Sequence, residues 1–378
     1  MKRVGILLLV LLFALTGCSG SWGSQAPPEA GEGSPVPEEI ASAPVLEGES
    51  QGDSKEFSWE IGEPQRHGMN PQVLSRMHEA LEESQVYAMV TVKDGVIVDE
   101  YYREGYDENS VFPLHSCSKS FTSALVGIAL EKGELGSVDD ELSKYLPEVL
   151  DDPDTEKGRI TLRHLLTHTS GLEWYEWGGG YSNWNEFRSA GNWVDYILGR
   201  RLVSSPGTAF NYSTGNTHLL AAALQRATGM TEFEYAEENL FEPLGIESAG
   251  WGADAQGVTD GGNGITMTAR DAARFGQLYL QGGTWQGEQI IPEDWVEQST
   301  SAQNHGAGEG TGSYGFQWWT RSFSTAGYDT YYAFGAHGQF IFVVPQLDLV
   351  TVITSNSVEN SYAPRPFFTD YVLAACGQ

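Results

Sequence analysis

Ser116-Cys117-Ser118-Lys119 sets a hydroxyl and a primary amine three residues apart, at the start of a run whose apolar spacing predicts a buried helix through Leu130. Positions i and i+3 share one face of a helix, so the two groups can meet. Serine alone is a poor nucleophile at neutral pH. A lysine whose pKa is lowered by burial can take its proton, and the free N–H groups of a helix start can hold an oxyanion. Of the seven lysines in the chain, only Lys119 follows a serine by three. The same pattern also fits a helix-capping serine beside a solvated lysine, so the surrounding residues must decide.

The elements that would position this pair are partly visible. Val86–Val92 and Val96–Tyr102 flank Lys93-Asp94-Gly95, and the Asp-Gly predicts a hairpin turn. Gln339–Pro345 and Leu349–Thr354 predict a second strand pair, and residues 366–375 a closing helix. Strands near both ends with a helical, loop-rich middle predict a mixed α/β domain, one antiparallel sheet drawn from both termini with a mostly helical insertion. Trp174, Tyr175, Trp177, Tyr181, Trp184, Phe187, Trp193 and Tyr196 lie among glycines, which fits either core filling or the wall of an apolar cleft.

The first 17 residues read as an export signal, with Lys2 and Arg3 before an apolar run too short to span a bilayer. Leu15-Thr16-Gly17-Cys18 resembles a bacterial lipobox, which makes Cys18 a lipidation site and the membrane a partner through that lipid. Residues 18–58 are rich in Gly, Ser, Pro and Glu and predict a flexible acidic linker. Residues 59–378 remain for the folded domain. A net charge of −30, from 21 basic and 51 acidic residues, argues against nucleic acid as a partner. Cys117 and Cys376 suggest no disulfide framework, and Cys117 reads as a small buried residue.

Three longer segments accompany the serine-lysine pair. Leu114–Ser123 resembles the nucleophile helix of the serine β-lactamase-related superfamily. Ile160–Leu172, which reads I-T-L-R-H-L-L-T-H-T-S-G-L, is similar to a signature of that group, as are Phe210–Asn216 and Met267–Gly276. The likeness is nearest to the family VIII esterase and 6-aminohexanoate-dimer hydrolase branch. It implies a β-lactamase/penicillin-binding-protein-like fold and Ser116 as acylated nucleophile. Lys119 would then be its base, Tyr212 a proton shuttle, and no cofactor or metal would be needed. It also implies an oxyanion hole formed by the N–H of Ser116 and that of Gln339, next to Gly338 and His337.

Two departures from the family pattern bear on substrate. Tyr212-Ser213-Thr214 carries threonine where the second box has asparagine, with Asn216 out of register. No lysine follows Lys157, so the third box, Lys-Thr-Gly, is absent and Ala336-His337-Gly338-Gln339 stands in its place. The cation that grips a substrate carboxylate is therefore missing or replaced by His337. An ester or linear-amide substrate is expected ahead of a β-lactam or a peptidyl-D-alanine. A non-catalytic sensor lipoprotein on the same fold is the alternative of another class. His164 and His168 are spaced i, i+4 but lack the glutamate of a zincin helix, and His168 is expected to satisfy a local backbone group. No G-x-S-x-G elbow occurs, which disfavours a Ser-His-Asp hydrolase.

Overall fold

The strand β1 (Val86–Lys93) turns through Asp94 and Gly95, both at positive φ, into β2 (Val96–Tyr102). Aspartate and glycine tolerate that left-handed conformation, which is why the Asp-Gly pair marks the turn. Antiparallel to β1 on its other side runs a strand from the far end of the chain, pairing Met89 with Ile353 and Lys93 with Leu349. Six strands from that half complete the sheet: β3 (Asn304–Gly308), β4 (Gly312–Tyr314), β5 (Trp319–Ser322), β6 (Asp329–Gly335), β7 (Gln339–Val344) and β8 (Leu349–Ser355). The spatial order is β2-β1-β8-β7-β6-β5-β4-β3. The computed structural model describes residues 57–176, 182–308, 311–323 and 327–377. The expected signal, Cys18 and almost all of the linker lie outside these residues, as do Trp177 and Tyr181. Among the described residues no helix is long and apolar enough to cross a membrane.

Both β7 and β8 are buried at every position, because both faces of the sheet are covered. Ile341, Val343, Val350 and Val352 face a core shared with Phe121, Leu125 and Phe275. Phe340, Phe342, Leu349 and Ile353 face the opposite core with Met77, Leu81 and Phe368. On the first face helix Ala269–Leu280 lies so close that a Cβ at Gly276 would sit 2.6 Å from Val350 Cγ1. The second face is covered by helix Pro71–Glu82, capped by Asn70, and by the C-terminal helix. That last helix is wound as a π-helix over Phe367–Val372 and as an α-helix only over Leu373–Ala375.

The sheet from both termini with a helical insertion is the expected architecture. Strands β3 to β6 extend it beyond the expected pairs. The aromatic middle also resolves in part. Trp174, Phe187 and Trp193 are buried, with Phe187 packed against both tryptophans, 5.5 Å from Trp174 and 4.4 Å from Trp193 by ring centroids. These three rings fill core, leaving Tyr175 exposed.

Candidate active site

Ser116 lies in a 3-10 turn (His115–Cys117) directly ahead of the helix Ser118–Glu131, so the nucleophile candidate sits just outside the α-helix. The preceding His115 has φ +48°, a conformation that costs a non-glycine residue energy and recurs at functional sites. Lys119 is 1% exposed, and its Nζ lies 3.0 Å from Ser116 Oγ, 2.9 Å from Thr214 Oγ1 and 2.6 Å from the Gly262 carbonyl. None of these partners is a carboxylate. Burial therefore dominates and pushes the ammonium down to about 8, while Glu176 and Asp260 at longer range pull it back up.

Tyr212 comes in from the segment that leads into helix Thr214–Thr228, whose N-cap is Ser213. Its ring lies 4.9 Å from Lys119 Nζ and stacks on Trp319, with the Ser116 hydroxyl near enough to draw its pKa partly back down. Burial first, then the charge of Glu176, hold the phenol well above its ordinary value. Tyr212 is thus a neutral hydroxyl that can give a proton, and Lys119 is the group able to accept one.

The turn after β6 carries the other expected residues. Gln339 uses its side chain as a brace: Nε2 donates to the carbonyls of Ala336 and Ser355, and Oε1 accepts from Ser355 N. The Gln339 carbonyl lies 3.7 Å from Cys117 Sγ, which ties the turn to the nucleophile segment. Cys117 itself is fully buried, and burial pushes its thiol up, away from thiolate chemistry. Gly338 has φ +89°, and a Cβ there would strike Ser355 Oγ and Pro364. His337 also takes a positive φ, and its ring sits 5.1 Å from that of His115. Burial lowers both imidazoles. His115 falls to about 4, with His337 opposing its charge, so the pair is neutral at neutral pH.

His168 corrects the expectation that it serves a backbone group. It is fully buried against the rings of Tyr212, Tyr314 and Phe210, and neither ring nitrogen has a hydrogen-bond partner. Packing, with a φ of +55°, turns it into the aromatic cluster behind Tyr212. His164 instead accepts from Thr161 N in a capping box. Among the described residues no group of three or more His, Cys, Asp or Glu side chains could hold a metal ion.

Two site residues, Gly262 and Glu176, escaped the sequence reading, and Thr214 was read only as a departure from the second box. Thr214 takes the contact to Lys119, whereas Asn216 accepts from Ser170 Oγ. Gly262 offers its carbonyl to Lys119 from a loop whose close approach needs glycine: a Cβ would lie 2.7 Å from Thr214 Cγ2. Glu176 accepts from Thr214 N at 2.8 Å, from Thr214 Oγ1 and from Trp174 Nε1. Its one signal was an acidic residue two after a tryptophan, downstream of the Thr169-Ser170-Gly171-Leu172 stretch.

Several known proteins are similar to this chain. A 6-aminohexanoate-dimer hydrolase of Paenarthrobacter ureafaciens is 26% identical over 300 residues, covering 75% of this chain and 76% of the relative. Esterase EstB of Burkholderia gladioli is 30% identical over 155 residues, 38% of this chain and 39% of its own. The solved structure of EstCE1, a hydrolase with promiscuous acyltransferase activity, superposes with a TM-score of 0.67 at 19% identity, over 82% of this chain and 99% of that one. The beta-lactamase family model matches residues 74–371, and the chain belongs to the beta-lactamase family.

Proposed function

We propose that the protein is a serine hydrolase that cleaves carboxylic esters or linear amides through an acyl-enzyme on Ser116. The observation that carries the reading is the buried Lys119 amine, 3.0 Å from Ser116 Oγ with no carboxylate in contact. Ser116 Oγ attacks the substrate carbonyl carbon while its proton passes to Lys119 Nζ. The oxyanion is received by the N–H of Ser116 and by the turn at His337, Gly338 and Gln339, with the Gln339 N–H as second donor. Tyr212 gives its proton to the departing alcohol or amine and is resupplied from Lys119. Water then attacks the acyl carbon, its proton returns through the same pair, and the carboxylic acid leaves with Ser116 restored.

The neutral His115–His337 pair supports the choice of substrate. A penicillin or a peptidyl-D-alanine presents a carboxylate, and at neutral pH these imidazoles offer it no positive charge. Glu176 and Asp260 make the surroundings of Lys119 more negative still. The relatives named for 6-aminohexanoate dimers and for esters point the same way. Cys18 is read as a lipid anchor, which would place the domain on the extracytoplasmic side of a membrane.

The test is parallel turnover of p-nitrophenyl butyrate, a linear 6-aminohexanoate amide and nitrocefin by wild type and Ser116→Ala. Ester or amide turnover lost in the variant is the expected result. Nitrocefin turned over faster than the other two would reverse the substrate order. Absence of any Ser116-dependent turnover or acylation would favour a non-catalytic binding protein.

A further inference from the structure

Resting on the hydrolase reading of Ser116, we propose that Glu176 is a positioning residue: by accepting the Thr214 hydroxyl proton, it turns the Lys119 lone pair toward Ser116. A neutral lysine amine has two N–H bonds and one lone pair, and three oxygens surround Nζ. The Gly262 carbonyl can only accept, so it takes one N–H. The second N–H must go either to Thr214 or to Ser116, and the lone pair faces whichever is left.

Glu176 decides between them. A carboxylate only accepts, so the single Thr214 proton goes to Glu176, and Thr214 must then accept from Lys119. The lone pair remains for the Ser116 hydroxyl, the one arrangement in which Lys119 can act as base. Without the carboxylate, Thr214 is free to donate to Lys119, and Lys119 then donates to Ser116 and blocks it. The carboxylate is itself fixed by Thr214 N and by the Trp174 indole, whose ring packs on the helix where a Cβ at Gly215 would lie 2.8 Å from it. The remaining titratable groups whose charge reaches Lys119 or is reached by it are Asp260, Cys117 and His168, and none of them hydrogen-bonds to Thr214.

Glu176→Gln tests the direction of the chain while keeping its shape. The amide oxygen satisfies the two N–H donors, so the amide N–H faces Thr214 and reverses the hydrogen bond. A loss of kcat/KM of about 100-fold is expected, in the range of general-base effects. Thr214→Val should lose a similar factor and Thr214→Ser should stay close to wild type. The double variant Glu176→Gln/Thr214→Val should be no worse than Thr214→Val alone, because no hydroxyl remains to orient. Losses that multiply, in variants with unchanged thermal melting, would overturn the proposal, because they mean that Glu176 acts independently of Thr214.

Titration of Lys119 by NMR in protein carrying 15N-lysine gives a readout that needs no substrate. Its midpoint should move down by about one unit in Glu176→Gln, as loss of a nearby negative charge requires. An unmoved midpoint overturns the proposal. If wild type neither turns over nor acylates while the midpoint still moves, the hydrolase reading fails and the Glu176–Thr214–Lys119 chain stands.

Discussion

Two lysines in this protein are equally hidden, each about 1% exposed, and they meet opposite surroundings. Lys157 meets Asp152 at 2.5 Å and donates to the Leu198 carbonyl, closing a corner of the helical region. Lys119 meets two hydroxyls and a carbonyl, and its carboxylates stand off at longer range. Burial alone therefore does not make a base. A buried amine becomes one when the fold withholds the direct counter-ion that would keep it charged.

The sharpest way to break this contrast is to remove each amine. Lys119→Met should lose on the order of 1000-fold in kcat/KM, with the fold intact by circular dichroism. The pH profile gives the next effect. Lys119 must be unprotonated to act and its pKa is about 8, so kcat/KM should fall about tenfold per unit below pH 8. A limb centred near 10 would mean that the amine is not desolvated. Lys157→Met should leave kcat/KM unchanged and destabilise the protein by about 1–3 kcal/mol, since the Leu198 carbonyl loses its donor. Thermal melting of that variant reads the difference.

A last effect, on stability and not on turnover, concerns Glu232, buried beside Gly261 on the loop that gives Lys119 its carbonyl partner. Burial raises its carboxyl to about 8. Below about pH 4.5 both folded and unfolded chains hold that proton and no penalty exists. As pH rises toward 8 only the unfolded chain releases it, so stability declines, and above 8 the penalty is complete. Glu232→Gln should therefore stabilise the protein most at pH 8.5, progressively less as pH falls from 8 to 4.5, and by nothing near pH 4. A gain that does not change with pH would place the cause in packing instead.

Legibility followed distance along the chain. Ser116 and Lys119 are three residues apart on one turn of chain, and Tyr212 stands in a box with its own local pattern. Thr214, 95 residues from Lys119, showed in the same box only as a departure from asparagine, and Gly262 reaches Lys119 from 143 residues away with no local pattern to announce the contact. The glycines at 261 and 262 were visible, but the reason for them, close approach to Glu232 and Thr214, exists only in the folded chain. Strands β3 and β4 were hidden by glycine. Gly306 and Gly312 both take positive φ, and a Cβ on Gly306 would lie 2.4 Å from the Gly312 carbonyl, so the stretch lacks the alternating apolar pattern that marks a strand. The hairpin at Asp94-Gly95 and the apolar strands β7 and β8 were legible because turn chemistry and burial on both faces leave their mark in composition.

The central claim is that Lys119 makes Ser116 a nucleophile that forms an acyl-enzyme. The most direct test is intact-mass and peptide mass spectrometry after rapid acid quench of the protein with p-nitrophenyl butyrate. The account predicts one butyryl group, on the peptide that carries Ser116, absent in Ser116→Ala and strongly reduced in Lys119→Met. Ester turnover that persists in Ser116→Ala, or an acyl group carried on Cys117 or any other residue, would contradict it.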